Sequence, residues 1–98
     1  LAYAGLACRY FPNLSSVEQI KVKSLKTKPI LVIGTTRDPA TPYKWAQSLA
    51  KIFDNAVLIT LDGDGHAGHG RGSICVDSAV DRYLLTGITP RSALFCSK

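Results

Sequence analysis

Two apolar runs without alternation, each followed by residues at helical spacing, organise most of this chain. Ile30-Leu31-Val32-Ile33 follows Pro29 without a polar interruption, and Ala56 to Leu61 is a second apolar run in which Thr60 is the one polar residue. Apolar runs that do not alternate mark strands covered on both faces, as in parallel sheets. Between them Trp45, Ala46, Leu49, Ala50 and Phe53 recur at helical intervals, behind Thr41 as an N-cap and Pro42 at the first helical position. After the second run, Val76, Ala79, Val80, Tyr83 and Leu84 share one face of a helix that Ser73 can cap and Gly87 can end. The pattern predicts strands over 30–34 and 56–61 and helices over about 42–53 and 73–86. Gly34–Pro42 and Asp62–Gly72 are expected loops, and the residues after Gly87 an irregular tail. Residues 1–11 fit the end of a helix, and Pro12–Lys28 a Ser- and Lys-rich connector.

Strand, helix, strand, helix in that order argues for an α/β layer with parallel strands. Two parallel strands cannot make a stable sheet alone, because each needs neighbours and cover on both faces. The sheet is therefore expected to be incomplete, finished either by the rest of a longer protein or by self-association of the chain. The start of the chain fits the first of these. Leu1–Cys8 is apolar, but it has neither a basic leader nor an initiator Met, so it is not read as a signal peptide.

Charge changes this picture little. The formal net charge is +5, and four of the twelve basic residues are Lys21, Lys23, Lys26 and Lys28. Their spacing is irregular and no aromatic residue lies between them for base stacking, so a solvated connector is expected and no nucleic-acid partner. No apolar run approaches the roughly 18 residues of a membrane span. The cysteines are Cys8, Cys75 and Cys96, too few for a disulfide scaffold and without a C-x-x-C pair. A bridge between Cys75 and Cys96 would pin the C-terminus and leave Cys8 over, which favours an oxidising compartment. Three buried free thiols are the alternative that composition leaves open.

The candidate chemistry lies in the loops after the two strands, because ligands in open α/β sheets bind outside the carboxyl ends of the strands. If the strands are parallel neighbours, Asp38 in the first loop comes near a histidine in the second, His66 or His69. A carboxylate on one imidazole nitrogen fixes the tautomer, which frees the other nitrogen to act as general base on a nucleophile. Pro39 disfavours helical geometry at Asp38 and so offers its side chain from a stiff loop. Two other readings of the second loop are weaker. Gly63, Gly65 and Gly68 satisfy G-x-G-x-x-G, but Asp62 and Asp64 would repel a pyrophosphate and no further strand with an acidic residue follows. His66 and His69 with Asp62 or Asp64 could meet a divalent ion, but no helix sets the rings on one face and no fourth ligand is evident. No cofactor is expected. Asp62 and Asp64 are expected only to shape the loop.

Pro29-Ile-Leu-Val-Ile-Gly-Thr-Thr-Arg-Asp38-Pro-Ala-Thr-Pro-Tyr43 resembles the acid-loop motif of the tripeptidyl-aminopeptidase-like (TAP-like) serine hydrolases, and Gly63-Asp-Gly-His66 resembles their histidine motif. Cys75-Val-Asp-Ser-Ala-Val-Asp-Arg-Tyr83-Leu, followed by Gly87, Pro90 and Cys96, is similar to the family's closing helix and tail. Cys8-Arg-Tyr-Phe11-Pro12 resembles its Cys-x-x-Trp-Pro element, with Phe11 where Trp is usual. The resemblance covers nearly the whole chain. It implies the C-terminal part of an α/β-hydrolase fold, with residues 1–28 as helix end and linker and 29–98 as the hydrolase segment. It also implies an exported, extracytoplasmic peptidase or esterase with Asp38 and His66 as triad members, and it favours His66 over His69 because His66 directly follows Gly-Asp-Gly.

The chain departs from the full pattern in three ways. It has no G-x-S-x-G elbow and no assignable oxyanion hole, so the serine is expected upstream and the chain alone is expected to be inactive. Ser15, Ser16 and Ser73 are not in an elbow context. The Gly-Thr that the family has before Cys96 is missing. The expected partners are the remainder of the hydrolase domain and a peptide or ester substrate. A non-catalytic interaction module is the alternative of a different class, and an upstream G-x-S-x-G segment separates the two.

Overall fold

The computed structural model describes residues 3–12, 23 and 27–98. Most of the expected connector, with Ser15, Ser16, Lys21 and Lys26, lies outside the described residues. Near the N-terminus a short 3-10 helix spans Leu6–Tyr10.

Strands β1 (Ile30–Arg37) and β2 (Ala56–Asp64) are parallel neighbours, paired in register from Ile30 beside Ala56 to Thr35 beside Leu61. Both run three residues beyond the predicted strands, into what the sequence predicts as loop. The extensions are polar on both sides, and Thr36 and Arg37 pair with Asp62 and Asp64, so the ladder outlasts the hydrophobic pattern. Helix α1 is Tyr43–Ile52 and helix α2 is Ile74–Thr86. The expected tail holds a third strand, β3 (Leu94–Ser97), parallel to β2, which gives the sheet order β1-β2-β3. Four residues with two inward side chains are too short a pattern to be recognised in sequence. The Cys75–Cys96 disulfide fixes β3 to the first turn of α2, and Ser73 Oγ donates to the Ser97 carbonyl at 2.7 Å. Cys8 is exposed and unbridged, so the alternative of three buried thiols is excluded.

Successive strand residues face opposite sides of the sheet, and the two helices cover opposite sides. Ile59 and Leu61 are fully buried against Val76, Val80 and Cys96, with Leu31, Ile33, Ala79 and Leu94 around them. On the other side α1 lies against bare backbone at Gly34, where a β-carbon would come within 2.7 Å of Ala46 Cβ. The Tyr43 hydroxyl meets Thr60 Oγ1 at 2.6 Å on the same side.

The predicted apolar faces need correction. Tyr43 and Ala46 pack on β1 and β2, whereas Trp45 and Leu49 are exposed. In α2, Val76 and Val80 are buried but Leu84 is 70% exposed. The predicted caps also differ. Pro42 occupies the N-cap of α1 and the Thr41 hydroxyl is turned to Asp38 instead. Ser73 stands at the N-cap of α2, but its hydroxyl serves β3. Gly87 ends α2 in the left-handed conformation, φ 71°, and its N–H returns to the Tyr83 carbonyl. Among the described residues no helix is long and apolar enough to cross a membrane.

Candidate active site

Asp38 follows β1 directly, and the loop after it folds back onto its own carboxylate. Oδ1 accepts the backbone N–H groups of Ala40 and Thr41 at 2.8 and 2.9 Å, and Oδ2 accepts the Thr41 hydroxyl at 2.8 Å. Pro39 keeps Asp38 out of helical geometry and so favours this turn. The side chain is only 4% exposed. The Thr41 amide above all, then the Ala40 amide, His66 and the Thr41 hydroxyl, hold this carboxyl well below the usual carboxylate range, against the opposing cost of its desolvation.

His66 stands just beyond β2. Its Nδ1 lies 2.9 Å from Asp38 Oδ2 and 3.1 Å from Oδ1, with Thr41 Oγ1 at 3.4 Å. The ring is 56% exposed, and its hydrogen bonds to the described residues are all made through Nδ1. An ionised carboxylate accepts and cannot donate, so the pair places the proton on Nδ1 and leaves Nε2 as an acceptor.

Three features hold the histidine loop over the end of β1. Thr35 Oγ1 donates to the Ala67 carbonyl at 3.0 Å. Gly68 is buried so closely that a β-carbon there would stand 2.5 Å from Ile33 Cγ2. Gly65, at φ 116°, adopts a backbone conformation that only glycine takes readily, and it turns the chain just before His66.

His69 is drawn elsewhere. Its Nε2 lies 3.2 Å from Asp81 of α2, and the Gly70 N–H donates to Asp77 at 2.8 Å. Of the two histidines, the structure thus brings only His66 to Asp38. Asp62 and Asp64 both turn to Arg37 and not to a histidine, which dissolves the arrangement a metal ion would need. Gly63 belongs to β2, so the glycine pattern forms no strand-to-helix phosphate turn. Ser73 is buried and bonded to β3.

Sequence reasoning missed the polar contacts around the pair. Thr41 read as a helix cap and is a ligand of the Asp38 carboxylate. Arg37 and Thr36 read as loop and join the ends of the two strands. The Thr36 hydroxyl first, then Arg37, lowers the pKa of Asp62, while Asp64 first, then Asp62, raises that of Arg37. The signal available in sequence was charge alternation, Asp62 and Asp64 sharing one strand face opposite a single basic residue.

The sequence is similar to those of known proteins. The tripeptidyl aminopeptidase of Streptomyces lividans is 35% identical over 98% of this chain, which covers 18% of that protein. The serine protease Hip1 of Mycobacterium tuberculosis is 36% identical over 91% of the chain and 17% of its own length. Carboxylesterase B of the same species is 46% identical over 69% of the chain and 13% of its own length. The chain thus spans less than a fifth of each of these relatives. The TAP-like protein family model matches residues 1–96, a range that contains Asp38, His66 and all of the strand–helix–strand–helix–strand unit but the last residue of β3. With that coverage, the chain belongs to the TAP-like protein family.

Proposed function

We propose that this chain supplies the acid and the base of a Ser-His-Asp triad to a larger secreted serine hydrolase, and that the nucleophilic serine comes from a segment outside it. The observation that carries the reading is the contact between His66 Nδ1 and Asp38, 2.9 Å long, beside a half-exposed ring whose Nε2 is uncommitted. His66 takes the proton of the serine hydroxyl through Nε2 as the oxygen attacks the substrate carbonyl. It then passes that proton to the leaving group, and water repeats the cycle to release the acyl group. Asp38 stays ionised, orients the ring and compensates the imidazolium.

A larger parent fits the open sheet. The outer edge of β1 has no strand partner among the described residues, and Trp45, Leu49, Leu85 and Phe95 are exposed. Residues that remain apolar and uncovered are completed by further hydrolase segments or, in the chain alone, by a second copy. An extracytoplasmic location fits the Cys75–Cys96 disulfide, since such bonds persist in oxidising compartments.

The substrate class we favour is a peptide, cleaved near its N-terminus, as the names of the relatives matched over most of the chain suggest. An ester substrate is the second reading, favoured by the higher identity to a carboxylesterase over a shorter stretch. The test is labelling of the full-length protein with a fluorophosphonate probe, followed by turnover of a tripeptidyl p-nitroanilide and of p-nitrophenyl butyrate. Asp38→Asn and His66→Ala should each lower turnover by about 10³-fold or more. His69→Ala should retain most of it. Full activity of His66→Ala would end the triad reading.

A further inference from the structure

The pairing of β1 with β2 is not uniform. Thr35 stands beside Leu61, but Arg37 stands beside Asp64, so β2 spends one more residue than β1 over the same stretch. Such a bulge bends a strand and re-aims the side chains beyond it. The Ile30–Thr35 register continued without the bulge would set Asp38 beside Asp64, and the bulge moves it on by one residue to Gly65. The bulge therefore decides where His66 stands relative to Asp38.

A compact polar network sits on this bulge. Arg37 Nη1 donates to Asp62 Oδ1 at 2.8 Å, and Arg37 Nε donates to Asp64 Oδ1. Thr36 Oγ1 donates to the same Asp62 oxygen at 2.9 Å and accepts the Gly63 N–H at 3.1 Å. The Gly63 amide, displaced from the regular ladder, is thus satisfied by a side chain from the neighbouring strand. One guanidinium spans two carboxylates that are two residues apart on β2. The next rung beyond it is the Gly65 N–H to the Arg37 carbonyl at 3.3 Å. Asp38 is the residue after Arg37, and His66 is two residues after Asp64.

From this we infer that Arg37, acting through Asp62 and Asp64, is a positioning residue for catalysis: it latches the bulged ends of β1 and β2 and so sets the spacing of Asp38 and His66. The inference rests on the triad reading above. The network is too exposed to contribute much stability, since Arg37 is 57% and Asp64 83% accessible and exposed ion pairs are screened by water and salt. Its geometry is nevertheless specific. Two separate nitrogens of one planar group are used, and a lysine ammonium, a single point charge, cannot reproduce both contacts. Asp62 and Asp64 are therefore more than formers of the loop.

The experiment is a mutant cycle in the full-length hydrolase, with p-nitrophenyl butyrate as probe substrate. Arg37→Gln should lower kcat about tenfold while KM stays within about twofold, because displaced catalytic groups lose orientation without losing substrate contacts. Asp62→Asn with Asp64→Asn should cost the same factor, and combining all three should cost no more than either alone. Arg37→Lys should recover part of the loss. The thermal midpoint should stay near wild type throughout. Wild-type kcat in Arg37→Gln, losses that multiply in the combined variant, or losses that track a falling thermal midpoint would each overturn the latch. Fluorophosphonate labelling of His66→Ala runs beside the cycle. Undiminished labelling there brings down the triad reading itself, whereas abolished labelling with an indifferent Arg37→Gln brings down the latch alone.

Discussion

Gly68 is the point at which the histidine loop touches β1, and adding one methyl group there tests how tightly the site is held. The β-carbon of Gly68→Ala would lie 2.5 Å from Ile33 Cγ2, whereas ordinary contact begins at 3.4 Å. Ile33 is β-branched, so its Cγ2 is fixed by a stiff χ1 and cannot swing away cheaply. Behind it lies the buried cluster of Ile59, Leu61 and Val76. The loop has to give instead, by roughly 1 Å, in a region where overpacking costs about 1–3 kcal/mol. Two contacts sit within two residues of Gly68: the Thr35 bond to the Ala67 carbonyl and the 2.9 Å bond from His66 to Asp38. A shift of about 1 Å takes the latter beyond hydrogen-bond range. On the proposed triad, the expected outcome in the full-length protein is a kcat about 10²-fold lower with a modest fall in thermal midpoint, measured by steady-state kinetics and thermal unfolding. Ile33→Ala removes the obstructing methyl, so in the Gly68→Ala background it should restore part of kcat, although alone it destabilises. Wild-type kcat in Gly68→Ala, or no relief from Ile33→Ala, would refute the reasoning.

Three further outcomes are expected. Reducing the Cys75–Cys96 bond, which spans 21 residues of sequence, should lower the unfolding free energy by about 3 kcal/mol in the chain-entropy model; urea melts with and without reductant measure this, and thiol counting on the unreduced protein should find Cys8 alone. Asp38 has a folded pKa below its unfolded value of about 3.9, so its contribution to stability is complete above that value and is lost as pH falls through the lower folded one. Urea melts across pH should therefore show a decline in acid that Asp38→Asn makes shallower, and an equal decline in both proteins would contradict the assignment. The 98-residue chain expressed alone should self-associate through its uncovered apolar surface, and sedimentation that finds only monomer at high concentration would count against the open-sheet reading.

The fold was legible wherever one physical signal dominated. Ile30–Ile33 and Ala56–Leu61 announce buried parallel strands because apolar residues run through them without alternation, with Thr60 the one polar residue, and Gly87 marks the end of α2 because the left-handed turn there favours glycine. The signal failed where two signals competed. The apolar spacing of α1 counts Trp45 and Leu49 with Ala46, but Gly34 offers a close seat only to small Ala46 and to the edge of Tyr43, so the larger side chains remain outside. Likewise Thr41 and Ser73 have the chemistry of helix caps, yet each hydroxyl is taken by another acceptor, the Asp38 carboxylate three residues back in one case and the distant Ser97 carbonyl in the other. Capping propensity belongs to the single residue and does not register such competitors.

The choice between His66 and His69 shows how backbone conformation completes what residue type only suggests. Residue type makes them equivalent, since both are histidines in one glycine-rich loop, and parallel strands bring the whole loop to the same edge as Asp38. Gly65 at φ 116° and Ala67 at φ 66° flank His66 and reverse the chain on either side of it. The left-handed conformation at Ala67 costs about 1 kcal/mol for a residue with a β-carbon. It persists because the Ala67 carbonyl, in that conformation, accepts the buried Thr35 hydroxyl. The next residue, Gly68, can then sink against Ile33, which leaves His66 on the outer side of the reversal beside Asp38. By His69 the chain has turned toward α2, where Asp81 and Asp77 engage it. The strained Ala67 and its bond to Thr35 thus act with Gly65 and Gly68 in selecting the imidazole that meets the carboxylate. Thr35→Val, which keeps the shape and removes the hydroxyl, would leave that conformation without its compensation and loosen the same histidine.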